Sequence, residues 1–417
     1  MGDDVAPGTP GEPSSAGTLI SVLMVTYNPN DDSFRRCLAS VAGQTHSNLE
    51  LILVDNGSAG SAVAELLKNA EASREGGPPT KLIRLGANTG FAHAMNVAVD
   101  AASGPLCLLL NPDTELEPRA VEALVDSAAE HPEAVGFAPK VKLLAYPQII
   151  DSVGIQFSWS GDAFQRGLGQ IDLGQFDRPE PVPGVTMGAA LIRRSAFAET
   201  GVGRLDERFF MFFEDVDWTL RAGLYGELFL TVPDAVVLHA GSESARQKAF
   251  NWRYRLIERN VYYTAIKNFQ LRHLAGFFLR RSRAHLRNLA TGRRPLATAR
   301  VLVEGTLALA SMLPDRRVVQ RRRQRRDSDL TNSEMAVPGV DLEAWRPIYS
   351  WRMVRDSLGR LFAVGGEERW SRAYGYLDLM LKFDLKLEST EVLRRLEELA
   401  GPIPAVIQAY AQQIASP

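Results

Sequence analysis

The chain of 417 residues has only two cysteines, Cys37 and Cys107. They fall inside predicted elements without metal-ligand spacing, which reads as buried, reduced thiols and suits a cytoplasmic compartment. No stretch approaches the roughly 18 to 20 uninterrupted apolar residues of a membrane span. The opening "MGDDVAPGTPGEPSSAG" is acidic and rich in Pro, Gly and Ser rather than signal-like, so residues 1–17 read as a disordered tail. Neither GxGxxG nor GxxxxGK[ST] occurs, which removes the main support for a dinucleotide or P-loop site.

What is present is ordinary globular material, 45% apolar and 23% charged, enough for two or three domains with a large core. The net charge of -2 conceals a division along the chain. Residues 1–250 sum to about -14 and residues 251–326 to about +16, with only Glu258, Glu304 and Asp315 as acids in the basic part. There Arg alternates with Trp, Tyr, Phe and Leu at helical spacing. That mixture suits amphipathic helices on an anionic membrane surface better than nucleic acid, for which no motif appears.

Residues 19–25, "LISVLMV", are apolar and rich in β-branched residues, the pattern of a strand buried on both faces. "LELILVD", "TKLIRL" and "PLCLLL" repeat it, separated by the helical patterns "SFRRCLASVAGQ", "SAVAELLKNAEA" and "GFAHAMNVAVDAA". Strand and helix alternate with short Gly, Asn, Asp and Ser connections, which implies βαβ units and a mainly parallel α/β sheet. Ligands bind such sheets at the carboxyl ends of the strands. Three polar stretches end there: "TYN" at 26–28, "DNGS" at 55–58 and "NPD" at 111–113. Each alone reads as a turn; three on one rim point to a nucleotide-type ligand.

In order and spacing, "ISVLMVTYN", "LELILVDNGS", "NTGFAHAMN", "LLLNPDTELEP", "GAALIRRSAF" and "RLDERFFMFFEDVDWTLRA" resemble the family-2 inverting glycosyltransferases of GT-A fold. The likeness is nearest to the bacterial rhamnosyltransferase-like and galactofuranosyltransferase-like members. It covers roughly residues 18–275 and stops well short of residue 330. The resemblance implies that Thr26, Tyr27 and Asn28 border a nucleotide and that Asp55 contacts its base or ribose. Asn88, Gly90 and Asn96 would shape the floor beneath ribose and diphosphate. Asp113, the last residue of an Asp-X-Asp-like motif, would reach a divalent metal, and Asp215 would take the acceptor's proton with Glu214 orienting acceptor or donor.

Chemistry makes sense of these residue types. A departing nucleoside diphosphate gains negative charge, and a hard cation such as Mg2+ or Mn2+ can meet it, held by one or two carboxylates and the phosphate oxygens. Asn111 stands where the first acid of Asp-X-Asp would be, so it reads as a positioning residue and the metal needs another ligand. His239, at the end of the apolar run "VPDAVVLH", is placed for that, as the galactofuranosyltransferase-like likeness also implies. Acids in the first turn of a helix are favoured by its dipole, and Asp217 can pair with Arg221 one turn on. The adjacent Glu214 and Asp215 after an apolar stretch are less easily explained that way. Residues 159–184 have no period and read as a loop ordering over the donor; Arg166 within it, and Trp218 in the stretch after the acids, are expected as phosphate or acceptor contacts.

The expected organisation is a GT-A catalytic domain over residues 18–250, basic membrane-contacting helices over 251–326, and a helical segment over 327–417 suited to self-association or packing. The expected activity is metal-assisted transfer of a sugar, rhamnose from dTDP-rhamnose first, to a lipid-linked or polysaccharide-precursor hydroxyl at the inner face of the cell membrane. Transfer of galactofuranose or another hexose is the alternative within the fold. A nucleotidyltransferase would need a basic loop after the first strand, where "TYNPNDD" is acidic. A non-catalytic sugar-nucleotide-binding protein would bind donor without turning it over.

Overall fold

A computed structural model describes residues 17–330 apart from 61–63, 66, 70–76, 145, 159–160, 169–171, 173–175, 241–249 and 293–294. The expected tail and nearly all of the expected C-terminal helical segment lie outside these residues. Within them, β1 (Ile20–Thr26), β2 (Leu49–Asp55) and β4 (Leu106–Leu110) form the sheet centre, almost entirely buried as their unbroken apolar runs require. β3 (Thr80–Arg84) continues the parallel set beside β2. Past β4 the sheet turns mixed. β11 (Ala189–Arg193) runs antiparallel between β4 and β6 (Ala134–Leu143), and β12 (Leu228–His239) lies parallel to β6.

Two short strands extend this far edge: β5 (Thr114–Leu116) pairs with β12, and β7 (Tyr146–Ser152) pairs with β6. The stretch expected as a loop contains β9 (Ala163–Gln165), hairpinned to β8 (Ile155–Phe157), and β10 (Pro181–Val182) on the edge of β12. Lys140 and Lys142 of β6 further tie it down through Asp172, and Lys140 also reaches Asp177.

Helices cover both faces. One core cluster packs α1 (Asp31–Ala42) and α3 (Ala120–Glu130) on the sheet; the other packs α2 (Phe91–Ala101) and α4 (Glu214–Leu224). The turn dipeptide Asn28-Pro29 leads directly into α1, whose N-cap Asn30 accepts from Ser33 N at 3.1 Å ahead of Asp31 and Asp32. A third cluster joins α4 to α5 (Phe250–Asn268), α6 (Leu271–Ala290) and α7 (Pro295–Arg322).

The basic helices differ from expectation in two ways. First, much of their charge is internal: Arg316, Arg322, Arg323 and Arg325 donate to backbone carbonyls, and Arg281 pairs with Glu258 and Asp162. Second, α7 is by length and composition apolar enough to cross a membrane, with a stretch of mean hydropathy 1.4 that is 28% buried. Arg300 and Glu304 break that run, which is why a search for unbroken apolar sequence passes over it. Leu296, Val303 and Leu307 fall on one outer face of α7, with exposures of 80%, 60% and 66%.

Asp217 is fully buried in α4. Lys267 Nζ of α5 and Asn268 Nδ2 each stand 2.8 Å from it, and Arg221 is only a secondary partner at 3.7 Å. Breaking a buried pair strands a charge, so Lys267→Met should lower the unfolding free energy by about 3–5 kcal/mol. Chemical denaturation checks this, and a loss under about 1 kcal/mol would mean that Asp217 has enough partners without Lys267.

Candidate active site

Thr26 and Asp55 end adjacent parallel strands in register. Thr26 Oγ1 is buried without a hydrogen-bond partner, a polar atom facing the rim with nothing from the protein to satisfy it. Asp55 Oδ1 accepts from Ser58 N at 2.9 Å, the turn closure that Asp at this position favours. Asn28 has φ 47°, and its Oδ1 accepts from Ala59 N at 2.9 Å, so the loops after β1 and β2 are tied together. Tyr27 stands 37% exposed beside them.

The residues expected as a floor are mostly spoken for. Asn56, in the "DNGS" stretch, accepts from Thr89 N at 2.9 Å and donates to Gly90 O at 3.2 Å and Asn88 Oδ1 at 3.3 Å. Asn88 Oδ1 also accepts from Gly90 N at 3.0 Å, which shapes the 88–90 turn. Gly90 has φ 89° and backs onto Phe210. Asn96 donates to Leu205 O at 2.9 Å and accepts from Leu205 N at 3.1 Å, so its amide fixes the approach to α4 instead of facing a ligand.

Trp218 requires a plain correction. It is fully buried, stacks on Phe197 at 5.0 Å and donates from Nε1 to Gly203 O at 2.6 Å, so it is a core residue and no acceptor contact. It follows the acids on α4, but helical periodicity turns it inward. Arg166 pairs with Glu180 at 2.7 Å and lies over the Phe176 ring at 4.7 Å, with Nη1 buried and unpartnered.

At the far half of the rim, Asp113 O accepts from Ala240 N at 2.9 Å, which draws the end of β12 against the Asn-Pro-Asp turn. His239 Nε2 stands 3.5 Å from Asp113 Oδ2, and His239 Nδ1 is 2.8 Å from Asp151 Oδ2 of β7. Burial opposes a charge on His239, but the two carboxylates outweigh it and raise its pKa to about 10. Asp151 gave no signal in the sequence, because nothing in "QIIDS" distinguishes it from any strand acid.

Among the described residues no three His, Cys, Asp or Glu groups converge on a point where protein atoms alone could hold a metal. The pair Asp113 and His239 fits a divalent ion that takes its other ligands from a diphosphate. His239 Nε2 faces the Asp113 carboxylate at 3.5 Å with its other nitrogen held by Asp151, so a metal bound there would displace the proton that the two carboxylates favour.

Glu214 and Asp215 open α4. Asp215 Oδ1 accepts from Val216 N at 2.8 Å, and Met187 N approaches its Oδ2 at 3.5 Å. Next along the chain, Gly188 O accepts from Asn111 N at 2.8 Å, so residues 187–188 link the acid pair to the Asn-Pro-Asp turn. Burial pushes both carboxyls up, and the neighbouring Asp215 raises Glu214 further; backbone N–H groups oppose the rise at Asp215. Glu214 Oε2 has no partner. Burial raises both carboxyls and the like charge of Asp215 falls on Glu214, so a proton held by the pair is favoured on Glu214 over Asp215.

A mixed sheet in this order, flanked by helices on both faces, is a GT-A-like α/β fold. A solved structure of GalNAc-T7 with UDP, GalNAc and Mn2+ shares the fold at a TM-score of 0.51 and 18% identity, covering 63% of this chain and 50% of that one. The profile of "Glycosyl transferase family 2" matches residues 21–201. An N-acetylglucosaminyl-diphospho-decaprenol L-rhamnosyltransferase of Mycobacterium tuberculosis is 30% identical over 249 residues, 54% of this chain and 77% of that protein. The O-antigen biosynthesis protein RfbC of Myxococcus xanthus is 28% identical over 245 residues, 56% of this chain and 18% of that protein. The chain belongs to glycosyl transferase family 2.

The acid pair carries a pH signature. Carboxyls whose native pKa is raised stabilise the fold fully below the unfolded value of about 4 and lose that contribution as pH rises through the native value. Glu214→Gln is neutral at every pH. Its Tm relative to the parent should climb as pH is raised from about 4 into the alkaline range; a difference flat with pH would show that Glu214 is not held neutral.

Proposed function

We propose that this glycosyltransferase moves a sugar from a nucleoside diphosphate donor to a hydroxyl of a lipid-linked acceptor, with inversion, assisted by Mg2+ or Mn2+ and with Asp215 as base. The observation that carries the reading is the link through Met187 and Gly188 between the Asp113 turn and the Asp215 carboxylate. It couples a place for diphosphate to a place for proton removal. Rhamnose, from dTDP-rhamnose, is the first choice of sugar, supported by the name of the mycobacterial relative.

Asp113 and His239 would hold the metal, which when bound supplies positive charge opposite the departing diphosphate. Thr26 Oγ1, Tyr27 and Asp55 face the rim where base and ribose would lie. Asp215 accepts the acceptor's proton at its carboxylate, late in bond formation because even a raised carboxyl is a modest base. Neutral Glu214 keeps a second negative charge away from that proton transfer and can donate a hydrogen bond to a sugar hydroxyl. Attack opposite the leaving group inverts the anomeric centre in one displacement, so no nucleophilic residue is required.

The acceptor reading rests on the helices. The exposed side of α6 sets Leu271, Leu279 and Leu286 beside Arg272, Arg283 and Arg287, and the apolar face of α7 lies outward as well. Burying each such leucine is worth about 1.5–3 kcal/mol, and arginines beside them favour anionic headgroups. This suits a protein peripheral on the inner face of the membrane. The protein should sediment with vesicles containing anionic lipid, and Leu279→Glu with Leu286→Glu should weaken that binding; binding indifferent to both lipid charge and these leucines would sink the interfacial role.

Asp215→Asn should lower kcat by about 10²–10⁴-fold with donor affinity retained. Asp113→Asn and His239→Ala should each weaken Mn2+-dependent donor binding by at least about tenfold. Thermal stabilisation by nucleotide sugars with and without Mn2+ measures this. Loss of binding in Asp113→Asn but not in His239→Ala would separate His239 from the metal.

A further inference from the structure

The chain enters the catalytic acids through an unusual turn. Among the described residues, four that are not glycine have positive φ, and three of them are Phe210, Phe212 and Phe213, at 65°, 68° and 69°. Bulky L-residues seldom adopt such backbone, and it persists only where the surroundings over-determine it. One constraint is Gly90, where a Cβ would fall 2.4 Å from Phe210 O and 2.6 Å from Phe210 Cδ2. The other comes from the opposite side, from α5.

Asn260 of α5 is fully buried, and its Nδ2 donates to Phe209 O at 3.0 Å, Met211 O at 3.0 Å and Phe212 O at 2.6 Å. Its orientation is fixed, because Oδ1 accepts from Arg259 Nε at 3.0 Å and from Nη2 at 2.8 Å. The same Arg259 Nη2 donates to Phe209 O at 2.9 Å. Asn268, on the same helix, also donates to its own helix at Thr264 O, 3.0 Å away. Asn260 instead spends both amide hydrogens on a turn about 50 residues upstream in sequence. Filling the space would need only a leucine; gathering three carbonyls needs a donor.

We propose that Asn260, oriented by Arg259, is a positioning residue for catalysis: it gathers the carbonyls of the 209–212 turn and so sets Glu214 and Asp215 against residues 187–188. The proposal rests on the reading of Asp215 as base. Asn260 touches no reacting atom. It lies outside residues 21–201, in the helices that sequence charge alone assigns to the membrane.

Two arms test it on the full chain. In hydrogen exchange without ligand, Asn260→Leu should speed exchange of amides 208–216 by at least about tenfold, leaving the β1 and β2 amides unchanged. Asn260→Ser, which keeps one donor, should fall between and serves if the leucine variant does not fold. In turnover of dTDP-rhamnose with Mn2+, and of UDP-sugars in its place, kcat of Asn260→Leu should drop on the order of 100-fold while KM for the donor stays within about threefold. Adding Phe212→Gly, which removes the steric cost of positive φ, should recover about tenfold of the lost kcat. A variant that only destabilised the fold would lose melting temperature without this split or this rescue. Unchanged exchange at 208–216, or kcat per folded molecule within about threefold of the parent, overturns the proposal. If the parent turns over none of the donors, the donor reading fails and the exchange arm still decides the role of Asn260.

Discussion

A carboxylate with no access to water lies one turn into the helix that begins with the acid pair Glu214 and Asp215. Asp217 is held by Lys267 and Asn268, and Lys267 also binds Asp206, on the segment leading to that helix. Such a charge cannot be left alone in the interior. Helix α5 must therefore dock in one register on α4, and that docking brings Asn260 beneath the strained turn. The acid pair heads a helix whose docking is fixed by an ion pair that does not include it.

The sheet imposes a second order on the rim. Parallel β1 and β2 bring Thr26 and Asp55 side by side, while the reversal at β11 lets residues 187–188 run past the end of β4. Without an antiparallel strand at that place, the Asn-Pro-Asp turn and the acid pair would have no shared neighbour. The mixed character of the sheet is thus a requirement of the site.

The central strands were legible because burial on both faces writes unbroken apolar runs, and the rim because polar residues end those runs. The acids at 214–215 and the histidine at 239 stand out in the sequence because a charge after an apolar stretch needs explaining, and the structure brings His239 to Asp113. Asp151 and Asn260 were not. Each is a lone polar residue inside an ordinary pattern, and its meaning comes from a partner far away in sequence, 88 residues for Asp151 and His239. Trp218 failed in the opposite direction, since proximity to a motif along the chain says nothing about which side of a helix a residue occupies. The arginines of 251–326 misled in part because a guanidinium bound to carbonyls inside the fold reads in sequence like one displayed to solvent.

The docking of α5 also redraws the unit that could be inherited or exchanged. Residues 21–201 carry the family's profile, but Asp217, the turn at 209–212 and the carbonyl that closes Gly226 against Arg325 all depend on helices further on. A chimera joining residues 18–250 to another protein's helices would carry an intact rim with an uncompensated charge, Asp217, beneath its acid pair. Exchange between relatives would then be expected to fail at a seam at residue 250, where the sheet has ended but the support for its acid pair has not.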